Sequence, residues 1–324
     1  MRAAVCVEFG PPEKLVIEER DRLPPGPGQI SVSVRAAGLN FVDSLLIQGL
    51  YQIKPTPPFV PGSDVAGIVD AVGEGVTDFA IGDEVMAMSG LNGFAEQVVV
   101  SQSRTYPIPR GLGFARAAGF LQSYPTALFA LDNRGRMQAG ETLLVLAAAG
   151  GVGSAAIDIG RALGGSVIAA ASTEAKLEAC RARGVAGVIN YESEDLKVRA
   201  KELSGGGVDL VFDPVGGDYT EQALRAIAPN GRFLVIGFAA GEIPRLRLNL
   251  VLLKQCQVVG VDWGGWAAKN QDANRAVFDK LGGLLESGKL DPPQPQTYPF
   301  ENVREALRDL MERKVVHKAV LLFG

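Results

Sequence analysis

The feature that most constrains the fold of this chain is a repeated alternation of short apolar runs and amphipathic segments after about Gln122. Short, continuously apolar runs are typical of parallel strands whose two faces are both covered by helices. The alternation therefore predicts a doubly wound α/β domain over residues 122–262. The predicted strands are Thr142–Leu146, Ser166–Ala171, Val188–Tyr191, Val208–Asp213, Phe233–Gly237 and Gln257–Val261, and the predicted helices are Val152–Leu163, Glu174–Arg183, Asp195–Leu203 and Tyr219–Ile227.

The residues on either side of this domain have a different pattern. Before residue 122, short apolar runs such as Gln29–Arg35 and Val65–Val72 are bounded by glycine, proline or aspartate, which is typical of a β-rich domain. The tail over 263–324 carries two amphipathic helical patterns and ends in the apolar run Lys318–Phe323. Because this tail follows a completed α/β domain, we expect 1–121 and 263–324 to form one domain together.

A glycine-rich turn lies between the first predicted strand of the α/β domain and its first helix. Gly150 precedes Gly151-Val152-Gly153-Ser154-Ala155-Ala156, which fits the pattern G-x-G-x-x-A. Glycine lets the backbone turn sharply and approach a pyrophosphate, whose charge is met by free N–H groups and by the helix dipole. The turn predicts a dinucleotide site, although the same turn without a ligand is an alternative.

The end of the second predicted strand indicates which nicotinamide cofactor binds. An NAD site places an acidic side chain there, and this chain instead has Ser172 and Thr173. These small side chains leave room for a 2′-phosphate, to which Lys176 supplies charge and Tyr191 a hydroxyl. We therefore expect NADPH as the cofactor. The alternatives are that Lys176 lies on a solvated helix face and that Tyr191 is an ordinary aromatic residue at a strand end.

Charge and cysteine content exclude several classes of partner. The net charge is −4 and the pI is about 5.3, so the chain has no basic surface for nucleic acid or an anionic membrane. It has no secretory signal pattern and no run of about 18 apolar residues, so we expect a cytoplasmic protein with no membrane partner. The three cysteines suit reduced, mostly buried thiols, since an odd number makes a poor disulfide framework.

Several motifs in order give the chain a resemblance to the medium-chain dehydrogenases and reductases over essentially its whole length. They are Ala36-Ala37-Gly38-Leu39-Asn40-Phe41-Val42-Asp43, Pro61-Gly62-Ser63-Asp64-Val65-Ala66-Gly67, Ala148-Ala149-Gly150-Gly151-Val152-Gly153 and Val188-Ile189-Asn190-Tyr191. The resemblance implies a GroES-like catalytic domain formed by 1–121 and 263–324 and a Rossmann NADPH-binding domain over 122–262. It also implies a homodimer that pairs the edge strands of the cofactor domains.

The zinc enzymes of this superfamily have a cysteine where this chain has Asn40, and Gly-His-Glu where it has Gly62-Ser63-Asp64. The only histidine, His317, lies near the last predicted strand, so no tetrahedral zinc site can be assembled. The chain in this respect resembles the zinc-independent quinone oxidoreductases, related to zeta-crystallin. We therefore expect no metal site.

The same resemblance implies a set of acceptor and nicotinamide residues. Asn40, Asp43 and Tyr51 are similar to the quinone oxidoreductase pattern, in which the asparagine and tyrosine line the pocket near the nicotinamide. We therefore expect Asn40 and Tyr51 to hydrogen-bond the acceptor oxygen and Asp43 to fix the loop that presents them. Thr126 is similar to a threonine that touches the nicotinamide. The alternatives are a helix cap for Thr126 and a turn held by side-chain bonds for Asn40 and Asp43. Leu45 departs from the pattern, since bacterial relatives often carry a second pocket tyrosine there. Gly237 and Phe238 complete the expected cofactor-binding residues.

The function implied is hydride transfer from NADPH to a quinone or another conjugated carbonyl acceptor. Such acceptors spread the arriving negative charge over their own atoms, so they need positioning and hydrogen bonds rather than a Lewis acid. Two alternatives stay open. The first is an enoyl or alkenal reductase, acting on a C=C bond of an acyl-CoA or an alkenal. The second is a non-catalytic NADPH-binding protein of the crystallin or RNA-binding kind, although the acidic charge disfavours RNA.

Overall fold

The computed structural model describes the whole chain, Met1–Gly324. The chain divides into two compact units, and in each unit most contacts are between residues of that unit. The first unit contains Met1–Gln122 and Pro293–Gly324, and the second contains Ser123–Pro292. None of the helices combines the length and the apolar character that crossing a membrane would need.

The secondary structure has the following bounds. The strands are β1 (Arg2–Cys6), β2 (Leu15–Glu19), β3 (Gln29–Leu39), β4 (Asp64–Val72), β5 (Glu84–Met88), β6 (Gln97–Ser101), β7 (Thr105–Pro107), β8 (Thr142–Val145), β9 (Ser166–Ala171), β10 (Gly187–Asn190), β11 (Val208–Asp213), β12 (Ile227–Val235), β13 (Gln257–Gly260), β14 (Gln296–Pro299) and β15 (Ala319–Leu322). The α-helices are α1 (Phe41–Ile47), α2 (Gly113–Phe120), α3 (Ser123–Leu128), α4 (Gly151–Ala162), α5 (Glu174–Arg181), α6 (Leu196–Leu203), α7 (Asp218–Ala226), α8 (Leu248–Lys254), α9 (Trp263–Lys269), α10 (Gln271–Glu286) and α11 (Val303–Met311).

The first unit is built on a mixed, mostly antiparallel sheet in the order β14-β15-β3-β4-β5-β7, with β6 also paired to β3. The C-terminal strand β15 pairs antiparallel with the end of β3, so the tail of the chain completes the sheet of the first unit. Gly38 is required where α2 crosses β3, because a Cβ there would lie 2.3 Å from the carbonyl oxygen of Ala118. The start of α1 follows directly after the end of β3, with Asn40 alone between the two elements.

The second unit has a parallel sheet in the order β10-β9-β8-β11-β12-β13. From β8 the chain proceeds outward through β9 and β10, and then returns to the other side of β8 to form β11. This reversal of strand order opens a crevice at the carboxyl ends of β8 and β11, where doubly wound sheets bind nucleotides. The predicted doubly wound α/β domain is confirmed.

The second unit extends further along the chain than the sequence predicts. Residues 263–292, which we assigned to the catalytic domain, pack with the second unit instead. Trp266 of α9 stacks on Phe129 with ring centroids 4.5 Å apart, and the indole nitrogen of Trp263 donates to Asn274 Oδ1 over 2.9 Å. These contacts hold α9 and α10 against α3, so the chain returns to the first unit at Pro293 rather than at residue 263.

Candidate functional site

The glycine-rich turn leaves β8 and enters α4 in the geometry that an anion site needs. Ala147 adopts a left-handed conformation with φ of 46°, and its carbonyl accepts a hydrogen bond of 2.9 Å from the Gly150 amide. Gly150 is the residue before the helix, and α4 begins at Gly151. The first amides of a helix have no partner within it, so they and the helix dipole are suited to bind a pyrophosphate.

Gly153 is a position in this turn where the backbone leaves no room for a side chain. A Cβ at Gly153 would lie 2.3 Å from the Ala147 carbonyl oxygen and 2.9 Å from the Ala148 Cα. Both neighbours are backbone atoms, so neither can move aside as a flexible side chain does. The glycine therefore permits α4 to begin close against the end of β8.

The residues expected to recognise the 2′-phosphate lie together at the carboxyl end of β9. Thr173 caps α5, since its hydroxyl accepts from the Lys176 amide at 3.4 Å, and the Lys176 ammonium lies 3.3 Å from the Ser172 hydroxyl. The Tyr191 amide donates to the Ala171 carbonyl at 3.2 Å, which places Tyr191 beside this group. Its ring packs against that of Tyr219, with centroids 4.4 Å apart.

Asp213, which the sequence analysis did not single out, fixes the loop after β11 through its carboxylate and joins it to the loop after β12 through its backbone carbonyl. Asp213 Oδ1 accepts from the amides of Val215 and Gly216 at 2.8 and 3.0 Å, and Oδ2 accepts from the Thr220 hydroxyl at 2.7 Å. The Asp213 carbonyl accepts from the Ile236 amide at 2.9 Å. Gly237 and Phe238 follow on this second loop, and the Phe238 side chain is partly exposed.

Thr126 lies within α3, three residues after the helix begins at Ser123, so it is not the residue that caps this helix. The helix is fixed to α4 by a buried polar chain in which the Tyr124 hydroxyl donates to Asp158 Oδ2 at 2.6 Å. Asp158 also accepts from the Arg183 guanidinium, and both side chains are about nine-tenths buried, with exposed fractions of 9% and 10%. The hydrogen bonds from Tyr124 and Arg183 to Asp158 therefore set the position of Thr126 within the second unit.

The expected acceptor residue Asn40 and the expected loop-fixing residue Asp43 meet at the start of α1 in the first unit. Asp43 Oδ2 accepts from the Asn40 backbone amide over 2.7 Å, so Asp43 forms a capping box with Asn40, the residue that caps α1. Asn40 and Asp43 have exposed fractions of 8% and 2%. Tyr51 follows on the segment after α1, where its side chain is half-buried.

Asn40 and Asp43 belong to a larger buried cluster with Asp64 and Lys318. Asn40 Nδ2 donates to Asp64 Oδ2 at 2.9 Å, and the Lys318 ammonium donates to Asn40 Oδ1. The same ammonium lies 4.0 Å from Asp64 Oδ2. Burial raises the pKa of Asp64 and lowers the pKa of Lys318, and each charge opposes the shift of the other.

Burial also raises the pKa of Asp43 to about 7 from its ordinary value of 3.8. The hydrogen bond from the Asn40 backbone amide and the charge of the Lys318 ammonium oppose that rise in pKa, whereas the charge of the Asp64 carboxyl adds to it. A carboxyl with this pKa takes up its proton on folding over much of the pH range between 3.8 and 7. Folding should therefore become less favourable as the pH rises through this range.

Asp43→Asn tests that linkage. Relative to this variant, the parent should lose about 1.4 kcal/mol of unfolding free energy for each pH unit between about pH 4 and pH 7, and the difference should then stay constant. The reason is that the unfolded carboxyl releases its proton near pH 3.8, whereas the folded one retains it to about pH 7. Urea unfolding of both proteins from pH 4.5 to pH 8.5 measures the difference, and a pH-independent difference would contradict the raised pKa.

The donor set around residue 40 does not fit a zinc ion. Zinc is held by thiolate, imidazole or carboxylate groups, whereas this position offers the Asn40 amide and the Ser63 hydroxyl beside Asp64. The nitrogen of the Asn40 side-chain amide donates to Asp64 and its oxygen accepts from Lys318. The neighbouring Lys318 ammonium would also repel a divalent cation. No group of three histidine, cysteine or acidic side chains in the chain is arranged to hold a metal. His317 lies in a bend before β15 with φ of 62°.

Three residues of the site escaped the sequence analysis, namely Asp64, Asp213 and Lys318. Asp64 was considered only as part of a replaced zinc motif, and Lys318 only as the first residue of an apolar run. A lysine directly before a buried strand was the one available signal for Lys318, since lysine is rarely buried without a partner. Asp213 ends a buried strand and precedes Pro214 and two glycines, which is a pattern typical of a loop held by its first residue.

Comparison with known proteins matches each unit to a family model. Residues 26–126 match the alcohol dehydrogenase GroES-like domain, and residues 151–279 match the zinc-binding dehydrogenase domain. The chain is 37% identical to a quinone oxidoreductase-like protein 2 homolog of Nematostella vectensis, over 99% of this chain and 88% of that protein.

Two solved structures are similar over nearly all of both chains. The Escherichia coli quinone oxidoreductase complexed with NADPH has 28% identity and a TM-score of 0.92, with 100% of each chain covered. The CurK enoyl reductase has 26% identity and a TM-score of 0.91, with 100% of this chain and 99% of that chain covered. The likeness therefore extends over both units of the fold.

Proposed function

Because the chain belongs to the quinone oxidoreductase family of the medium-chain dehydrogenases and reductases, we propose that it transfers a hydride from NADPH to a quinone or another conjugated carbonyl acceptor without a metal ion. The reaction consumes NADPH, a proton and the quinone, and it yields NADP⁺ and the hydroquinone. The proposal rests chiefly on the pairing of Lys176 with Ser172 beside a glycine-rich helix start, because that group suits a phosphorylated dinucleotide.

The residues of the second unit hold the cofactor in this proposal. The free amides at the start of α4 bind the pyrophosphate, and Ser172, Thr173, Lys176 and Tyr191 surround the 2′-phosphate. When bound, NADPH supplies the hydride from its dihydronicotinamide ring. Thr126 of α3 borders that ring together with Gly237 and Phe238 of the loop after β12, and the Asp213 carbonyl helps to fix that loop by accepting from the Ile236 amide.

The residues of the first unit position the acceptor in this proposal. Asn40 and Tyr51 donate hydrogen bonds to the acceptor oxygen on which negative charge develops. Asp43 fixes the start of α1, because its carboxylate holds the Asn40 backbone amide. The acceptor delocalises the arriving charge itself, so fixed hydrogen-bond donors suffice.

Lys176→Met tests the cofactor assignment. The substitution removes one charge-assisted contact worth about 1.5–3 kcal/mol, so the Kd of NADPH should rise about tenfold to a hundredfold while the Kd of NADH stays the same. Fluorescence titration with both nucleotides measures the two values. Lys269→Met, an exposed change on α9 of the same unit, is the matched control and should alter neither. Equal weakening of NADPH and NADH would contradict a role in 2′-phosphate binding.

The acceptor is tested by a panel measured under one set of conditions. Consumption of NADPH and of NADH is followed with a benzoquinone, phenanthrenequinone, an alkenal and crotonyl-CoA. The proposal expects NADPH consumption with the quinones at a kcat/KM well above that with the alkenal or with crotonyl-CoA. Tight NADPH binding without oxidation of any acceptor would favour a non-catalytic binding protein instead.

A second candidate is reduction of a C=C bond conjugated to a carbonyl, as in an enoyl thioester or an alkenal. It is favoured by the similarity to the CurK enoyl reductase over the full chain. It is also favoured by Leu45, because an apolar side chain replaces a tyrosine in the expected acceptor region. Preferential turnover of crotonyl-CoA in the panel would select this candidate.

We also propose a homodimer formed through the edge of the parallel sheet. Strand β13 is at that edge and pairs with β12 alone, so one side of its backbone is available for a second copy. Nearby on α8, Leu248, Leu252 and Leu253 have exposed fractions of 75%, 76% and 75%. Light scattering during size-exclusion chromatography gives the mass and decides between monomer and dimer.

The three cysteines are free and buried, which supports a reducing compartment such as the cytoplasm.

A further inference from the structure

Lys318 is a buried cation whose contacts lie within the first unit. Its ammonium donates to the side-chain oxygen of Asn40 and lies 4.0 Å from Asp64 Oδ2. The exposed fractions of the Lys318 and Asp64 side chains are 11% and 0%. A buried lysine carries a large desolvation cost, so its retention at this position calls for a physical explanation.

The contacts of Lys318 and Asp64 give the Asn40 amide a single orientation. The side-chain oxygen accepts from the ammonium, and one hydrogen of Nδ2 goes to Asp64 over 2.9 Å. Turning the amide by half a rotation would set its NH₂ group against the ammonium and its oxygen against the carboxylate, which is unfavourable on both sides. The structure shows no acceptor within the chain for the second Nδ2 hydrogen.

The same contacts also strengthen that remaining donor. A cation that donates to the amide oxygen draws electron density away from the amide nitrogen, so the N–H bond becomes a better donor. The effect is largest where water is excluded, and Asn40 has an exposed fraction of only 8%. The ammonium therefore places positive charge beside the oxygen of the Asn40 side-chain amide.

We propose that Lys318 is a positioning residue for hydride transfer, which orients and polarises the Asn40 amide so that its remaining N–H stabilises the negative charge developing on the acceptor oxygen. Asp64 completes the arrangement by holding the other N–H. This inference rests on the proposed function, since it assumes that Asn40 faces the acceptor. It goes beyond that function because it assigns the electrostatic contribution to a residue that does not touch the acceptor.

A double-mutant cycle tests whether Lys318 acts through Asn40. The variants are Lys318→Met, Asn40→Ala and the two combined, each assayed for kcat/KM with a quinone at saturating NADPH. Loss of one preorganised donor costs about a hundredfold, so each single variant should fall by about thirtyfold to a hundredfold. The double variant should be no worse than the single variants by more than about threefold, because both remove the same interaction.

Two further readouts separate positioning from a merely structural role. The Kd of NADPH should stay within about twofold of the parent in all variants, since the cofactor residues lie in the second unit. Lys318→Gln retains a donor without the charge, so its kcat/KM should lie between those of the parent and Lys318→Met. Lys314→Met, a largely exposed lysine of the same C-terminal segment, is the matched control and should change nothing.

Additive losses in the double variant, or a kcat/KM for Lys318→Met within about threefold of the parent, would overturn the proposal. Should Lys318→Met fail to fold, the cycle is run with Lys318→Gln under the same criteria. If the parent reduces no acceptor at all, the proposed function fails on its own, and the contact is then tested by NMR. The Asn40 side-chain amide resonances should shift in Lys318→Gln and stay unchanged in Lys314→Met, whereas identical spectra would refute the orientation by Lys318.

Discussion

Replacing Gly153 with alanine should weaken NADPH binding about a hundredfold or more. The new Cβ would lie 2.3 Å from the Ala147 carbonyl oxygen and 2.9 Å from the Ala148 Cα, so the start of α4 must move away from the end of β8. The amides at the start of the helix move with it, and loss of two hydrogen bonds to the charged pyrophosphate, at about 1.5–3 kcal/mol each, weakens binding by about a hundredfold or more. Calorimetric titration with NADPH measures the loss, and chemical unfolding of the same variant reports how far the fold itself is weakened.

Gly282→Ala is the matched control for this prediction. Gly282 lies within α10, where an added Cβ meets no atom within 4 Å. Alanine is the better helix former there, so the control should bind NADPH normally and gain up to about 1 kcal/mol of unfolding free energy. Normal NADPH binding by Gly153→Ala would mean that the approach of α4 to β8 does not build the cofactor site.

Asp158→Ala should lower the free energy of unfolding by about 3–5 kcal/mol. The substitution leaves the buried Arg183 guanidinium without its carboxylate, and the Arg183 Nε already has no hydrogen-bond partner. It also removes the acceptor of the buried Tyr124 hydroxyl. Because the bond from Tyr124 to Asp158 ties α3 to α4, the position of Thr126 should become less well defined. We therefore expect kcat to fall together with stability.

Two comparisons distinguish this buried pair from an ordinary ion pair. Glu178→Ala removes a partner of Arg181 in a pair with exposed fractions of 42% and 72%, and it should change the unfolding free energy by less than about 0.5 kcal/mol. Combining Asp158→Ala with Arg183→Met removes both buried charges, so the double variant should be more stable than Asp158→Ala alone. Urea unfolding measures all three, and a loss below about 1 kcal/mol for Asp158→Ala would contradict the account.

The parallel sheet was predictable from the sequence because its strands are buried on both faces and therefore appear as continuous apolar runs. The bounds of β9 and β11 are those predicted, and β8 and β13 differ only at one end. Strand β12 was predicted to begin at Phe233 and begins at Ile227, because the polar stretch through Asn230 and Gly231 concealed its first half.

The placement of 263–292 was not predictable in the same way. An amphipathic helix shows that it has an apolar face, but the sequence does not show which unit covers that face. The stacking of Trp266 on Phe129 ties this segment to the second unit, and that contact joins residues far apart in sequence.

The candidate site shows the same division between local and distant information. The glycine turn and the Ser172–Lys176 pair come from short segments, so their motifs could be interpreted directly. The Asn40 cluster joins residues from α1, β4 and the C-terminal segment, and Lys318 is 278 positions away from Asn40. No local sequence pattern predicts a contact between residues so far apart, so the position of the Lys318 ammonium beside Asn40 could be found only from the folded structure.

Metal-free hydride transfer from NADPH to a conjugated carbonyl acceptor is tested most directly by one assay on the full-length protein. NADPH oxidation with a benzoquinone is followed before and after prolonged dialysis against a strong chelator, with the zinc content of each sample determined. We expect the same kcat in both samples, with one NADPH consumed for each quinone reduced. Loss of activity on chelation with recovery on adding zinc, or no NADPH oxidation in either sample, would contradict the account.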